Sequence, residues 1–440
     1  MSFIIASPKL PPAFMRKRFI SGVVVLVAAG LFAVWWCGFR PTARRSGPLA
    51  HEVYVWQRNW NQPVRQAVTQ HGSNFANLVA LRAEIVWKNS QPQLTRVAVD
   101  YPTLTNAVCP VGLALRIGAY PGPFATNDPV AGYLSGVAAS LVAEAATNGL
   151  RLSELQIDFD CAESKLDGYR LWVEAIQRRV HPLPVTITAL PSWLKTPAFR
   201  RLAAVAPNYV LQVHSVERPK SFAAPFTLCD PAAARRAVER AGRLGVPFRV
   251  ALPTYGYLLA FAQSGQFLGL SAEGPRPNWP ADAQLREVGA DPETLARLVQ
   301  DWTKRRPAVM GNVIWYRLPV ATDNLNWRWP TLAAILAGRS PHEQLQCKLH
   351  RTEDGLVEIH LLNPGELDVV RRLEVKVHWR EARLVAGDGL QGFELTEPDA
   401  VTARFQTGST IRRLRVGDDW LIGWLRFDRK CEVQIEITKH

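Results

Sequence analysis

The stretch Leu155-Gln156-Ile157-Asp158-Phe159-Asp160-Cys161-Ala162-Glu163 decides how this chain is read. Leu155, Ile157 and Phe159 alternate with Gln156, Asp158 and Asp160, the period-two pattern of a strand. That period puts both aspartates on one face. Two adjacent carboxylates are costly, because like charges raise each other's pKa. In an α/β barrel the C-terminal strand ends build the active site, and perturbed carboxylates gather at functional sites. Asp158 and Asp160 are therefore expected as a catalytic pair. The structural alternative is a pair that caps the next loop or anchors it through an arginine.

Outward from this strand, strand-like and helix-like segments alternate. Strands are expected at His51–Trp56, Leu78–Val86, Val111–Ile117, Leu155–Asp160, Val185–Ala189, Tyr209–His214, Phe248–Pro253 and Val309–Tyr316. Helices are expected at Pro129–Asn148, Asp167–Val180, Asp230–Leu244, Asp291–Lys304 and Thr331–Ala337. Two of them open on Asp-Pro, and Gly149 and Gly245 are natural stops. This is the pattern of a (β/α)8 TIM-like barrel, an α/β fold, over residues 46–340. Val97–Thr105 is a possible extra strand.

From about Pro341 the pattern changes to short alternating strands: Val357–Leu362, Leu373–Trp379, Val401–Phe405, Ile411–Val416, Trp420–Leu425 and Val433–Ile437. A C-terminal all-β sandwich domain is expected over residues 341–440. At the other end, Arg16-Lys17-Arg18 precedes an uncharged apolar run from Phe19 to Phe39, long enough to cross a bilayer. The run ends in Trp35-Trp36-Cys37-Gly38-Phe39, an aromatic interface belt and a poor cleavage site. Residues 1–45 are read as an N-terminal transmembrane signal anchor and linker. Basic residues upstream of a first span favour an inside N-terminus, which puts the bulk of the chain in the periplasm or outside the cell. Arg40, Arg44 and Arg45 follow the span and weaken that orientation signal.

The 440 residues allow two or three domains with a sizeable core. The net charge of +14 is spread in pairs such as Arg178-Arg179 and Arg305-Arg306, without the basic stripe or module that nucleic-acid binding needs. No nucleic-acid partner is expected. None of the six cysteines stands in a CxxC or metal-ligand spacing. Cys347 and Cys431 could bridge in an oxidising compartment, although two buried thiols are the more ordinary outcome. No metal or other cofactor is expected, and there is no Gly-x-Ser-x-Gly elbow or glycine-rich phosphate loop.

The acidic strand Ile157-Asp158-Phe159-Asp160 resembles that of the chitinase-like barrels of glycoside hydrolase family 18. Ala251-Leu252-Pro253-Thr254-Tyr255-Gly256 resembles that family's Pro-x-Tyr-Gly segment. Gly311-Asn312-Val313-Ile314-Trp315 resembles its last strand, whose Trp floors the sugar pocket. The chain departs from the family at three points, the first being Leu155, which stands where the motif carries its first aspartate. Ala162 stands where the motif carries its catalytic glutamate, and Val213-His214-Ser215 stands where it carries a Tyr-Asp pair. A closer resemblance is to an uncharacterised bacterial family, domain of unknown function 3142. It rests on Gln156–Asp160, Thr188–Trp193 (Thr-Ala-Leu-x-Ser-Trp) and Ala251–Gly256. It implies the barrel and brings no established activity.

If the barrel is a glycosidase, it needs a proton donor at the leaving oxygen and a group that stabilises an oxocarbenium-like centre. Glu163 is a candidate acid if its loop folds back over the barrel mouth; otherwise it is a solvated residue opening the next helix. Asp160 would then polarise the reacting group and Asp158 raise its neighbour's pKa. Trp56, Trp193 and Trp315 are candidate sugar-stacking rings, with packing as the alternative. Tyr255 is a hydrogen-bond donor, Gln212 a polar strand-end contact, Glu84 a further inward acid and His214 a possible base. Arg116 is expected to ion-pair with Asp158. These residues point to a membrane-anchored barrel that hydrolyses an envelope or secreted polysaccharide. The alternative is an inactive carbohydrate-binding or scaffold protein, which Ala162 favours.

Overall fold

A computed structural model describes residues 42–439, apart from 90, 125–128, 216–218, 274–276, 397–398 and 409–412. The expected anchor at Phe19–Phe39, with Arg16-Lys17-Arg18 and Cys37, lies outside the described residues. Eight parallel strands alternate with eight helices from His51 onward. They are β1 (His51–Val55), α1 (Gln62–His71), β2 (Asn77–Lys88), α2 (Tyr101–Thr105), β3 (Val111–Ile117) and α3 (Pro129–Thr147). There follow β4 (Leu152–Asp158), α4 (Leu166–Val180), β5 (Val185–Ala189), α5 (Pro197–Val205), β6 (Tyr209–Gln212) and α6 (Pro231–Leu244). Last come β7 (Phe248–Pro253), α7 (Pro292–Lys304), β8 (Met310–Tyr316) and α8 (Trp329–Leu336). Each strand pairs with the next in order, and β8 pairs with β1, which closes the barrel.

The helix starts share one local chemistry. Asn61, Asp100, Thr196, Asp230 and Asp291 each accept a hydrogen bond from a first-turn amide, with a proline in the first helical positions. The cap satisfies a free amide, and proline costs nothing where no amide partner exists. α6 ends at Gly245, whose φ of 74° is left-handed. Apolar residues of each strand and the inner faces of the helices form one hydrophobic cluster from Leu49 to Ile335. α3 is the one described helix long and apolar enough to cross a membrane. Leu134, Ala138, Leu141 and Ala145 on it are buried in that cluster.

Three local readings differ. β4 stops at Asp158, so Phe159 and Asp160 already belong to the loop. Val97–Thr105 is not a strand; the extra strand is Gln91–Arg96, antiparallel to the end of β2, and Tyr101–Thr105 is α2. Between β7 and α7 the chain inserts a three-stranded antiparallel sheet, with Gly256–Phe261 between Phe267–Ser271 and Gln284–Gly289.

The interior of the barrel is polar. Arg249 on β7 makes a bidentate ion pair with Glu154 on β4, at 2.6 and 2.7 Å, and donates to Glu52 on β1 at 2.6 Å. Glu154 also accepts from Asn77, Thr186 and Gln156, and Asn312 on β8 donates to Glu52. Burial works against the Arg249 charge, but the Glu154 hydrogen bond and the two carboxylates outweigh it and push its pKa up. Burying such ions is tolerable because both terminal guanidinium nitrogens and both carboxylates are partnered, although Arg249 Nε has no partner among the described residues.

After residue 345 two four-stranded antiparallel sheets enclose a second, separate hydrophobic cluster. One sheet joins Gln346–Glu353, Leu356–Leu362, Asp419–Phe427 and Leu384–Gly389. The other joins Phe393–Thr396, Thr402–Thr407, Leu373–Trp379 and Val433–Lys439. The expected strand Ile411–Val416 is not one in its described part, where Leu414 makes a single bridge to Val369. Cys347 and Cys431 are free thiols, so the bridge is absent.

Candidate active site

Strand periodicity sends Glu154, Gln156 and Asp158 into the barrel and Leu155 and Ile157 toward the helices. Asp158 is therefore the last inward residue of β4, at the C-terminal mouth. A pocket of about 160 Å³ opens there. Its wall takes Tyr54 and Trp56 from β1 and its exit, Arg116 from β3, Asp158 and Asp160 from β4 and its loop, and Thr188 from β5. Gln212 and His214 come from β6 and its exit, Tyr255 and Tyr257 from the β7 exit, and Tyr316 from β8.

The two carboxylates sit in different surroundings. Asp158 is buried, accepts a hydrogen bond from Thr188 at 2.9 Å and lies 3.7 Å from the Arg116 guanidinium. Burial raises its pKa, and Arg116 and Thr188 pull back only part of the shift. Asp160 stands exposed at the rim. Although part of the residue is open to solvent, protein atoms around its carboxyl shield it from water, and this and the Asp158 charge raise its pKa to about 6, with Arg116 opposing. The pair therefore offers a carboxyl that gives up its proton near neutral pH.

The aromatic wall is continuous. Tyr316 contacts Trp56 and Tyr255 at ring-centroid distances of 5.3 and 5.4 Å, and Tyr54 meets Trp56 edge-on at 5.2 Å. The Tyr54 hydroxyl donates to Gln156 at 2.7 Å, and Gln156 donates to Glu154. The pocket floor is thus tied to the Arg249 network below it. Thr254 holds the β8 exit by accepting from the Arg317 amide and donating to the Arg317 carbonyl.

Of the residues singled out in the sequence, Trp56, Arg116, Asp158, Asp160, Gln212, His214 and Tyr255 line this pocket. Four do not. Glu163 opens a short 3-10 turn before α4, lies 4.0 Å from Lys195 and is not among the residues that line the pocket. Glu84 is bound by Arg58 in a two-point ion pair at 2.6 and 2.8 Å and approached by Arg116 at 3.3 Å. Burial would raise its pKa, but those arginines lower it, so it is held ionised. Trp193 is fully buried and donates to the Cys161 carbonyl. Trp315 is also fully buried, packs on His51 and Trp327, and donates to His51. Its neighbour Tyr316 takes the pocket position.

Sequence reasoning missed Tyr54, Thr188, Ser215, Tyr257 and Tyr316. Tyr54 and Tyr316 carried a signal: each sits at an alternate, inward position of a strand already recognised. Among the described residues no group of three or more His, Cys, Asp or Glu is placed to hold a metal ion.

No curated protein matches the chain. Solved structures that resemble it include the spore cortex-lytic enzyme SleL of Bacillus megaterium QM B1551, at 11% identity and a TM-score of 0.48 over 67% of this chain and 75% of that one. A chitinase from Chromobacterium violaceum ATCC 12472 is 15% identical, with a TM-score of 0.45 over 66% and 98%. A glycoside hydrolase family 18 N-acetylglucosaminidase from Paenibacillus barengoltzii is 11% identical, with a TM-score of 0.43 over 66% and 100%. Residues 130–321, which hold Asp158, Asp160, His214 and Tyr255, match the family described as Domain of unknown function (DUF3142).

Proposed function

We propose that this chain is a membrane-anchored, extracytoplasmic barrel of the glycoside-hydrolase kind that takes a unit of an envelope or secreted polysaccharide into the Asp158–Asp160 pocket and needs no cofactor. The observation that carries the reading is the unequal carboxylate pair at the barrel mouth, with Asp160 raised to about 6 beside the buried Asp158. Asp160 is the proton donor to the leaving oxygen, because it is exposed at the rim and protonated in mildly acidic solution. Asp158 keeps that proton in place through its charge and steadies positive charge developing at the sugar. Trp56 and the tyrosines supply apolar ring faces, and Arg116 and Gln212 supply polar contacts to hydroxyls. The pocket is smaller than the roughly 300–1,000 Å³ of drug-sized sites, which suits one ring rather than a long cleft.

A second reading is favoured by one observation. Ala162 occupies the position of the glutamate in the resembling motif, and Glu163 next to it lies off the pocket. On that reading the barrel binds a glycan without cleaving it. The full chain incubated with labelled N-acetylglucosamine oligomers, peptidoglycan fragments and neutral β-glucans separates the two. Turnover that disappears in Asp160→Asn and survives in Glu163→Gln supports the hydrolase. Binding without turnover supports the second reading, and neither binding nor turnover overturns both.

A further inference from the structure

His214 holds an unusual position in the pocket wall. Its side chain is buried, at 6% exposure, yet the ring lines the cavity. Nδ1 lies 3.2 Å from the Tyr255 hydroxyl. Nε2, on the other edge of the ring, has no hydrogen-bond partner among the described residues. An unpaired buried polar atom is costly and calls for an explanation. Burial lowers the His214 pKa to about 4, so the ring is neutral at pH 7 and its two nitrogens differ, one a donor and one an acceptor.

The neighbours of Nδ1 decide which is which. The Tyr255 hydroxyl lies 3.1 Å from that of Tyr257, and the Tyr257 hydroxyl lies 2.9 Å from Ser215 Oγ. Three hydroxyls thus lead from an exposed serine to a buried imidazole. Each hydroxyl has one proton to donate, so the chain has a single polarity. An imidazole nitrogen is a better acceptor than a phenol oxygen. The favoured direction therefore runs Ser215 to Tyr257 to Tyr255 to Nδ1, which leaves the proton on Nε2. Ser215 holds its end with a left-handed φ of 54°, a conformation uncommon for serine and found where surrounding structure enforces it. The ring is clamped by Tyr316, stacked at 5.7 Å and 26°, and by Tyr255 edge-on at 5.8 Å.

We propose that His214 is a specificity-determining residue whose Nε2–H donates to an acceptor oxygen of the sugar, and that Ser215, Tyr257 and Tyr255 are positioning residues that fix this tautomer. The donor role rests on the proposal that a glycan enters the pocket; the tautomer does not. Asp158 is an acceptor in the pocket wall and the protonated Asp160 a donor to the leaving oxygen; His214 and Arg116 add donors to the same wall. The pocket would select a unit that offers an acceptor oxygen, such as a carbonyl or ring oxygen, at the His214 side.

Nitrogen-15 NMR of the full chain labelled at histidine tests this, with His214→Gln identifying the resonance. The expected result at pH 7 is a neutral ring protonated at Nε2. In Tyr255→Phe, and more weakly in Ser215→Ala, the tautomer shifts toward Nδ1–H. A wild-type ring protonated at Nδ1 or at both nitrogens overturns the proposal, as does a tautomer indifferent to both variants. N-acetylglucosamine tetramer and a neutral β-glucan tetramer are then added. A glycan that binds and moves the Nε2–H resonance supports the donor role. Binding that leaves it in place removes His214 as a donor while the glycan reading stands. An Nε2–H tautomer with no binding of either glycan overturns the glycan reading and the donor role together.

Discussion

At the scale of single residues, Asp158 and Asp160 differ in burial and in partners, and that difference sets the proton chemistry proposed for the pocket. A carboxyl whose pKa rises on folding favours the folded state at low pH and disfavours it once the pH passes the folded value. For Asp160 the window runs from the ordinary aspartate value near 3.8 up to about 6. Asp160→Asn removes the charge and should therefore match the wild type in stability near pH 3.5 and exceed it above pH 6. The exposed rim position screens the effect, to on the order of 1 kcal/mol. Thermal unfolding of both proteins at the two pH values checks this, and an equal difference at both would contradict it. The same scale shows what the sequence could reveal about the site. Asp158, Arg116, Gln212, His214 and Tyr255 were legible because strand ends of a parallel barrel converge on its mouth. Trp315 was misplaced because a shift of one residue along a strand reverses the face. Glu163 depended on the path of a loop, which periodicity does not describe.

At the scale of elements, the interior of the barrel explains why several strands carry charged residues where apolar ones are expected. Arg249 on β7 joins β1, β4 and, through Asn208 at 3.2 Å, the end of the α5–β6 loop. Arg249→Met would leave Glu52 and Glu154 buried without their cation. Removing one partner of a buried ion pair costs roughly 3–5 kcal/mol. The loss should appear as a lower guanidinium midpoint in chemical unfolding, and Arg249→Met/Glu154→Gln should recover part of it. A change below about 1 kcal/mol would show the network to be unimportant. The barrel strands were readable from alternation and from Asp-Pro helix starts, signals that are local. The polar interior was not, although Glu154, Gln156 and Asp158 repeat at period two, because partners on β1 and β7 are far away in sequence. In the C-terminal sheets, Gln346–Glu353, Leu384–Gly389 and Phe393–Thr396 escaped notice. The first is mostly exposed and strongly polar, and the second carries two glycines and an aspartate. Such strands are held by their neighbours rather than by their own propensity.

At the scale of the whole molecule, the barrel and the C-terminal sheets keep separate hydrophobic clusters and meet through polar contacts. Arg415 donates to the carbonyls of Asp323 and Asn324, and Thr331 donates to the Glu366 carbonyl at 2.6 Å. Asp323 in turn is bound by Arg317, directly after the pocket residue Tyr316, so the C-terminal sheets brace the β8 exit. Upstream, the apolar run Phe19–Phe39 motivates the proposed anchor. The full chain should stay with membranes after an alkaline wash and be digested by protease added from outside the cytoplasm. Recovery in the soluble fraction would remove the anchor from the proposal. On the proposed function, Asp160 donates a proton to a glycan in the barrel mouth. The pH dependence of kcat/KM for glycan cleavage by the full chain, with Asp160→Asn alongside, decides whether it does. The prediction is activity that falls as the pH rises through about 6, where Asp160 loses its proton, and a variant that has lost both the activity and that limb. Cleavage by Asp160→Asn with the wild-type pH profile would contradict it.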